Sequence, residues 1–339
     1  MSSTGQNQAN VPQAQINGRP YLVTTVATLG GYPTPSVDDP ICGVFIAFFL
    51  ASAIFNMTIY IRNRRRGHKF LFSAVLFGFS IARIVACSLR IVVGSKPHQV
   101  NTVIASQVFN SAGVVMIFVI NLFFAQRILR AYHPRLGWGK PATLVARFLL
   151  FSLIGTLIMT IIAVVYSFYT LDVGVRKTIR HIQLFSATYI AVLAFLPLPI
   201  TIVSVLLSSP EKVEPFGRGR METKVYLLTG TSTLLAFGAG FRAGTSYVTR
   251  PITDPAWFHH KACFYIVNFA IEIIVVYSYA LSRFDRRFFI PNGSSGPGDY
   301  SRIEVPIPLG DQSADFSLGS QDRLSIRDVQ LQKVRNVGA

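Results

Sequence analysis

The chain reads as an all-α, polytopic membrane protein, a bundle of seven transmembrane helices with its N-terminus outside and its C-terminus cytoplasmic. Three observations predict this. Hydrophobic residues make up 51% of the 339 and charged ones only 14%, with a mean hydropathy of +0.44, which is not the composition of an ordinary soluble domain. Seven apolar stretches of 21 to 28 residues occur, against the roughly 20 residues needed to carry a helix across about 30 Å of hydrocarbon. The basic residues between those stretches gather on alternate sides.

The first 40 residues are polar, rich in Gln, Asn, Thr and Pro, and read as a disordered extracytoplasmic segment with no cleavable signal; the first span then serves as an uncleaved signal anchor. The spans follow at residues 41–61, 70–93, 101–125, 142–169, 183–207, 225–249 and 262–282, within a membrane domain of residues 41–288. Residues 289–339 turn Gly-, Ser- and Pro-rich and then mixed in charge, without helical or strand periodicity, and read as a disordered cytoplasmic tail. Within it Ser325 is a candidate phosphosite. Pro197 and Pro199 predict a kink or break in the fifth span. Gly240 and Gly244, four apart, predict a close helix approach in the sixth.

Orientation follows from the short loops. Those after spans one, three, five and seven hold 16 Lys and Arg, among them Arg62, Arg64, Arg65, Arg66, Arg127, Arg130, Arg218 and Arg220, and the opposite face holds seven. The richer face is cytoplasmic by the positive-inside rule. The net charge of +17 is then explained by an anionic leaflet, and nucleic acid is not the expected partner. The N-x-S/T triplets at Asn56 and Asn292 fall mid-span and on the cytoplasmic side, so neither carries glycan in this topology.

Polar residues inside the spans are costly and therefore informative. Ser80, Arg83, Cys87 and Arg90 share one face of the second helix at steps of three, four and three. Tyr265, Asn268, Glu272 and Tyr279 share one face of the seventh, and Glu272 is the one acidic residue in any span. Thr231, Gly238, Arg242 and Thr245 align on the sixth helix, and Gln107, Asn110 and Asn121 on the third. Arg83, Arg90, Arg242, Glu272, Asn110 and Asn268 are therefore the candidate ligand-binding residues. Two readings stand: a buried ion-pair network that fixes helix register, or a site for a small anionic or amphiphilic ligand, since three positive charges face one negative. Arg90 and Arg242 are also placed to snorkel outward. Depth selects Glu272's partner: it and Arg83 each lie ten residues, roughly 15 Å, from the outer end of their spans, with Arg242 within reach and Arg90 too shallow.

No paired intramembrane carboxylates and no hydrolase or zinc-protease motif appear, so neither an enzyme nor a cofactor is expected. His259 and His260 stand beside Trp257 as an interfacial belt; Asp254 is the one candidate for completing a zinc site, and no metal is expected. Cys42 and Cys263 sit at outer span ends, where they either bridge the first and last helices or serve as unrelated small side chains.

The stretches Arg64-Arg-Arg-Gly-His-Lys-Phe70, Ala82-Arg-Ile-Val-Ala-Cys-Ser-Leu-Arg-Ile91, Ala125-Gln-Arg-Ile-Leu-Arg130, Ser167-Phe-Tyr-Thr-Leu171, Asp254-Pro-Ala-Trp257, Lys261-Ala-Cys-Phe-Tyr265 and Pro291-Asn-Gly-Ser294 carry a resemblance. Across residues 33–300 the chain resembles a fungal family of seven-span membrane proteins catalogued as a domain of unknown function. The resemblance implies a fungal source and a seven-helix bundle, and lends no site residue. More loosely, the architecture is similar to fungal lipid-translocating exporters. The function expected is transport or translocation of a small amphiphilic or anionic ligand through the polar bundle interior. The alternatives are a seven-helix receptor or sensor, or a non-catalytic membrane scaffold. A three-plus-one-plus-three transporter design finds a faint echo: Arg83 and Arg242 lie 159 apart, Asn110 and Asn268 lie 158 apart.

Overall fold

The computed structural model describes residues 20–21, 26–68, 70–207 and 213–301. Among them the chain is helical, and an isolated bridge between Val26 and Pro251 is the one β-type pairing. The long elements are α1 (Pro35–Arg65), α2 (Phe72–Ser95), α3 (Val100–Gly113), α4 (Val115–Tyr132), α6 (Lys140–Ser167), α7 (Val173–Phe195), α8 (Pro197–Leu206) and α9 (Met221–Tyr247). A short α5 (Pro134–Gly137) links α4 to α6. The last long helix is composite: α10 (Lys261–Tyr265), a π-helical turn over Ile266–Ala270, then α11 (Ile271–Leu281), with α12 (Phe284–Arg287) after it.

Six helical stretches are long and apolar enough to cross a membrane: Pro35–Arg65, Phe72–Ser95, Val100–Tyr132, Lys140–Ser167, Val173–Leu206 and Lys261–Leu281. This is the make-up of a multi-pass membrane protein, and its outward faces agree, with Leu144, Phe148, Phe151 and Phe237 all at least 60% exposed. The stretch expected as the sixth span, α9, is a 27-residue helix but is not among the six, because Thr, Ser and Gly dilute its apolar residues.

Several boundaries differ from the sequence reading. The helix expected from Ile41 starts at Pro35, a proline at a first-turn position where its missing N–H costs nothing. The fifth stretch starts at Val173, ten residues earlier than expected, because the Asp172 carboxylate accepts the Val175 N–H and caps a helix start whose first two turns bear Arg176, Lys177 and Arg180. The proline-linked break falls at Leu196, between α7 and α8. Gly240 and Gly244 have open space where a Cβ would stand; the close approach on α9 is at Gly238, whose Cβ would lie 3.4 Å from the Val267 carbonyl in the π-helical turn.

The end of the bundle formed by α4, the start of α9 and α12 is packed shut. The rings of Phe124 and Phe288 stack at 4.1 Å, Arg127 donates to the Phe288 carbonyl, and Lys224 donates to the Phe216 carbonyl. The segment expected to leave as a tail stays packed through Ser301: Tyr300 is buried against Trp138 and Phe216, and the Glu214 carboxylate accepts the N–H groups of Gly298, Tyr300 and Ser301. Ser325 lies outside the described residues.

Candidate functional site

The polar face of α2 organises the opposite half of the bundle. Arg83 is fully buried and donates from Nε and Nη2 to the two carboxylate oxygens of Glu272, each at 2.5 Å. Its third nitrogen, Nη1, donates to the Asn110 carbonyl at 3.0 Å. That carbonyl's ordinary helical partner would be the N–H of Val114, where the third stretch is interrupted. The guanidinium lies between the rings of Phe79 and Phe269, and a Cβ on Gly113 would come within 3.0 Å of its Cζ. The partnership expected from depth is thus present, and together with the Asn110 carbonyl it engages each of the three guanidinium nitrogens.

The π-helical turn redistributes the face expected on the last helix. Its i→i+5 bonding adds a residue to the turn. Tyr265 meets Arg90 of α2, Asn268 meets Arg242 of α9, and Glu272 lies between Arg83 and Arg242. Arg242 Nη1 donates to Asn268 Oδ1 at 3.2 Å and stands 3.9 Å from Glu272. Tyr279, deeper, donates to Asn121, whose amide donates to Ser232.

A second carboxylate, Asp38, lies at the first turn of α1. It accepts from Arg90 Nε at 2.9 Å, Lys261 Nζ at 2.5 Å, the Tyr265 hydroxyl at 2.6 Å and the Thr34 N–H at 2.8 Å. Arg90 also donates to the Gly30 carbonyl and lies 4.1 Å over the Phe264 ring. Gly30 has a positive φ of 81°, and a Cβ there would strike Phe264 at 2.5 Å, so the segment before α1 closes on α10 only with glycine at that place. Arg90 is therefore not snorkelling; it is tied to a carboxylate that sequence reasoning left outside the spans. The signal existed: Thr34-Pro35 marks a helix start, which brings Asp38 into the first turn.

Between these clusters lies a cavity of about 1110 Å³. Arg90, Arg242, Asn110 and Asn268 line it, whereas Arg83 and Glu272 lie beneath it, 0% and 1% exposed. Gln107, Thr245 and Lys261 line it too; Asn121 does not. Among the described residues every formally charged lining residue is a cation (Arg90, Arg242 and Lys261), and no Asp or Glu reaches the wall. Val93, Val103, Val164, Phe168, Phe264 and Phe269 supply much of the remainder.

His259 and His260, also on the wall, each accept a backbone N–H, from Ala256 and Ala262. Among the described residues no three His, Cys, Asp or Glu gather to hold a metal. Cys42 and Cys263 are not bridged: Cys42 Sγ lies 3.3 Å from the Tyr265 hydroxyl, and Cys263 is free.

No curated protein and no solved structure matches the chain. Residues 216–289 match the model of the family described as Protein of unknown function (DUF3112), and that stretch supplies Arg242, Lys261, Asn268 and Glu272 to the site.

Proposed function

We propose that the chain is a seven-span membrane protein, α9 being the sixth span, with the cavity opening outside and the C-terminus cytoplasmic, and that it moves a small anionic or amphiphilic ligand through its polar interior. The observation that carries this is the cavity wall: three cations, no acid among the described residues, and a remainder that is mostly apolar in surface with amide and hydroxyl groups set into it. A cation held in a low-dielectric site lacks the solvation it would have in water, so a ligand that brings the opposite charge is favoured there. Arg242 is the group in question, since Arg83 already engages both oxygens of Glu272 and leaves Arg242 at 3.9 Å. The role is non-catalytic, and the bilayer is the standing partner.

Transfer of a fluorescently labelled fatty acid across proteoliposomes containing the full chain tests the reading. Arg242→Gln is expected to lower transfer without lowering protein abundance. Unchanged transfer in that variant contradicts it; a collapse in abundance favours a scaffold held together by its charges. Tag accessibility on sealed cells checks the orientation, with the N-terminal tag exposed and the C-terminal tag protected.

A further inference from the structure

The charges around the cavity are arranged as two stations of the same stoichiometry. At the floor one carboxylate, Glu272, faces two cations, Arg83 and Arg242. At the mouth one carboxylate, Asp38, faces two cations, Arg90 and Lys261. Each station is left with one positive charge, and at the floor it is borne by Arg242, 22% exposed and on the wall. We infer that the floor station takes a headgroup with a single negative charge, on a ligand whose hydrocarbon chain lies along the apolar side chains of the wall, Val93, Val103, Val164, Phe168, Phe264 and Phe269. The inference rests on the cavity being the site of an anionic ligand and adds the ligand's valence and form.

A monoanion at Arg242 closes the charge count of the floor. A dianion would place its second negative charge beside Glu272, with no further cation at that station to meet it, because each of the three guanidinium nitrogens of Arg83 already engages Glu272 or the Asn110 carbonyl. A neutral headgroup would leave Arg242 as it is. The chain requirement follows from the wall and the size. At about 1110 Å³ the space exceeds the roughly 300–1,000 Å³ of ordinary small-molecule sites, and it is far larger than a free inorganic ion needs. Single-chain carboxylates and sulfonates, and lipids with a phosphodiester and no other charge, share this chemistry.

Trp257 lines the cavity and is one of two tryptophans; the other, Trp138, lies on Tyr300 in the closed half. In the full chain carrying Trp138→Phe, reconstituted in nanodiscs of zwitterionic lipid at pH 8, dibromostearate is expected to quench Trp257. Hexadecanesulfonate should reverse the quenching. Hexadecyl phosphate, close to a dianion at this pH since its second pKa is about 6, should need about tenfold more for the same effect. Hexadecanol and methanesulfonate should fail, which separates the lipid from the free ion. Arg242→Gln should abolish the difference between sulfonate and phosphate, and Arg242→Lys should keep it. Phosphate displacing as well as sulfonate, with both dependent on Arg242, overturns the single-charge inference and leaves the anion site standing. Displacement by hexadecanol as readily as by the sulfonate overturns the anion site itself. Displacement by methanesulfonate overturns the requirement for a chain. The comparison of the two amphiphiles in the unaltered cavity holds even where an Arg242 variant fails to fold.

Discussion

The floor and the mouth of the cavity solve the same problem, a buried carboxylate between two cations, in different ways. Glu272 is clasped on both oxygens by one arginine whose side chain is 0% exposed, and the second arginine stands off at 3.9 Å. Asp38 has its negative charge spread over Arg90, Lys261, the Tyr265 hydroxyl and a backbone N–H, and Lys261 is 23% exposed. At the floor Arg83 and Glu272 are 0% and 1% exposed, and among the described residues Arg83 has no counter-charge other than Glu272. The mouth has redundant donors and a flexible lysine able to turn to water. Removing one charge should therefore be much more damaging at the floor.

The largest expected effect is that of Glu272→Gln. It leaves Arg83 buried without a counter-charge, which typically costs about 3–5 kcal/mol. Thermal unfolding in detergent should show it, and the double variant Glu272→Gln/Arg83→Gln should cost less than the sum of the single changes. Asp38→Asn should cost less, about 2 kcal/mol, because Lys261 and the Tyr265 hydroxyl can find other partners. Equal losses at the two carboxylates would mean that the redundant donors around Asp38 give it no protection.

Gly113→Ala sharpens it further. The added methyl would stand 3.0–3.1 Å from the Arg83 guanidinium, which is pinned on three sides. Destabilisation of roughly 1–2 kcal/mol is expected, as for mild overpacking. In the Arg83→Gln background the penalty should shrink.

The smallest effect concerns a third carboxylate at the closed end. Burial alone would raise the Asp285 carboxyl, but hydrogen bonds from Arg283 and Asn63 outweigh it and hold the group below the usual carboxylate range. A depressed folded-state pKa means stabilisation that is present above the unfolded value, about 3.9, and lost as pH falls through the folded one. Arg283 is 39% exposed, so solvent screening limits the contribution to about 0.5–1 kcal/mol. The difference in unfolding midpoint between the unaltered chain and Asp285→Asn should stay constant from pH 6 to about pH 4 and narrow as the pH falls further.

The legible and illegible parts of the site divide along physical lines. Arg83 and Glu272 stand out because charge in the middle of an apolar run is costly, and equal depth on two helices brings them together. Asp38 and Lys261 sit where hydropathy has already fallen, and an apolar-run reading starts α1 at Ile41 instead of Pro35. The π-helical turn has no periodic signature, so a straight α-helix puts Tyr265, Asn268 and Glu272 on one face, whereas they meet two different helices. The cavity depends on chain closure by Gly30 against Phe264 and on the interruption at Val114, both set by tertiary packing. The repeat-like spacing has a local counterpart: Arg83 touches Asn110 through a carbonyl, and Arg242 touches Asn268 through its side chain.

On the anion-site reading of the cavity, Arg83, which is not among the residues of the cavity wall, keeps Arg242 available by occupying Glu272. Hexadecanesulfonate affinity in nanodiscs, compared between Arg83→Gln and Arg83→Gln/Glu272→Gln, tests it most directly. In the single variant Glu272 is released to Arg242, and affinity should fall about tenfold. In the double variant both buried charges are gone, Arg242 keeps its positive charge, and affinity should return close to that of the unaltered chain. A folded double variant that binds as weakly as the single one, or a single variant that binds as well as the unaltered chain, would contradict the account.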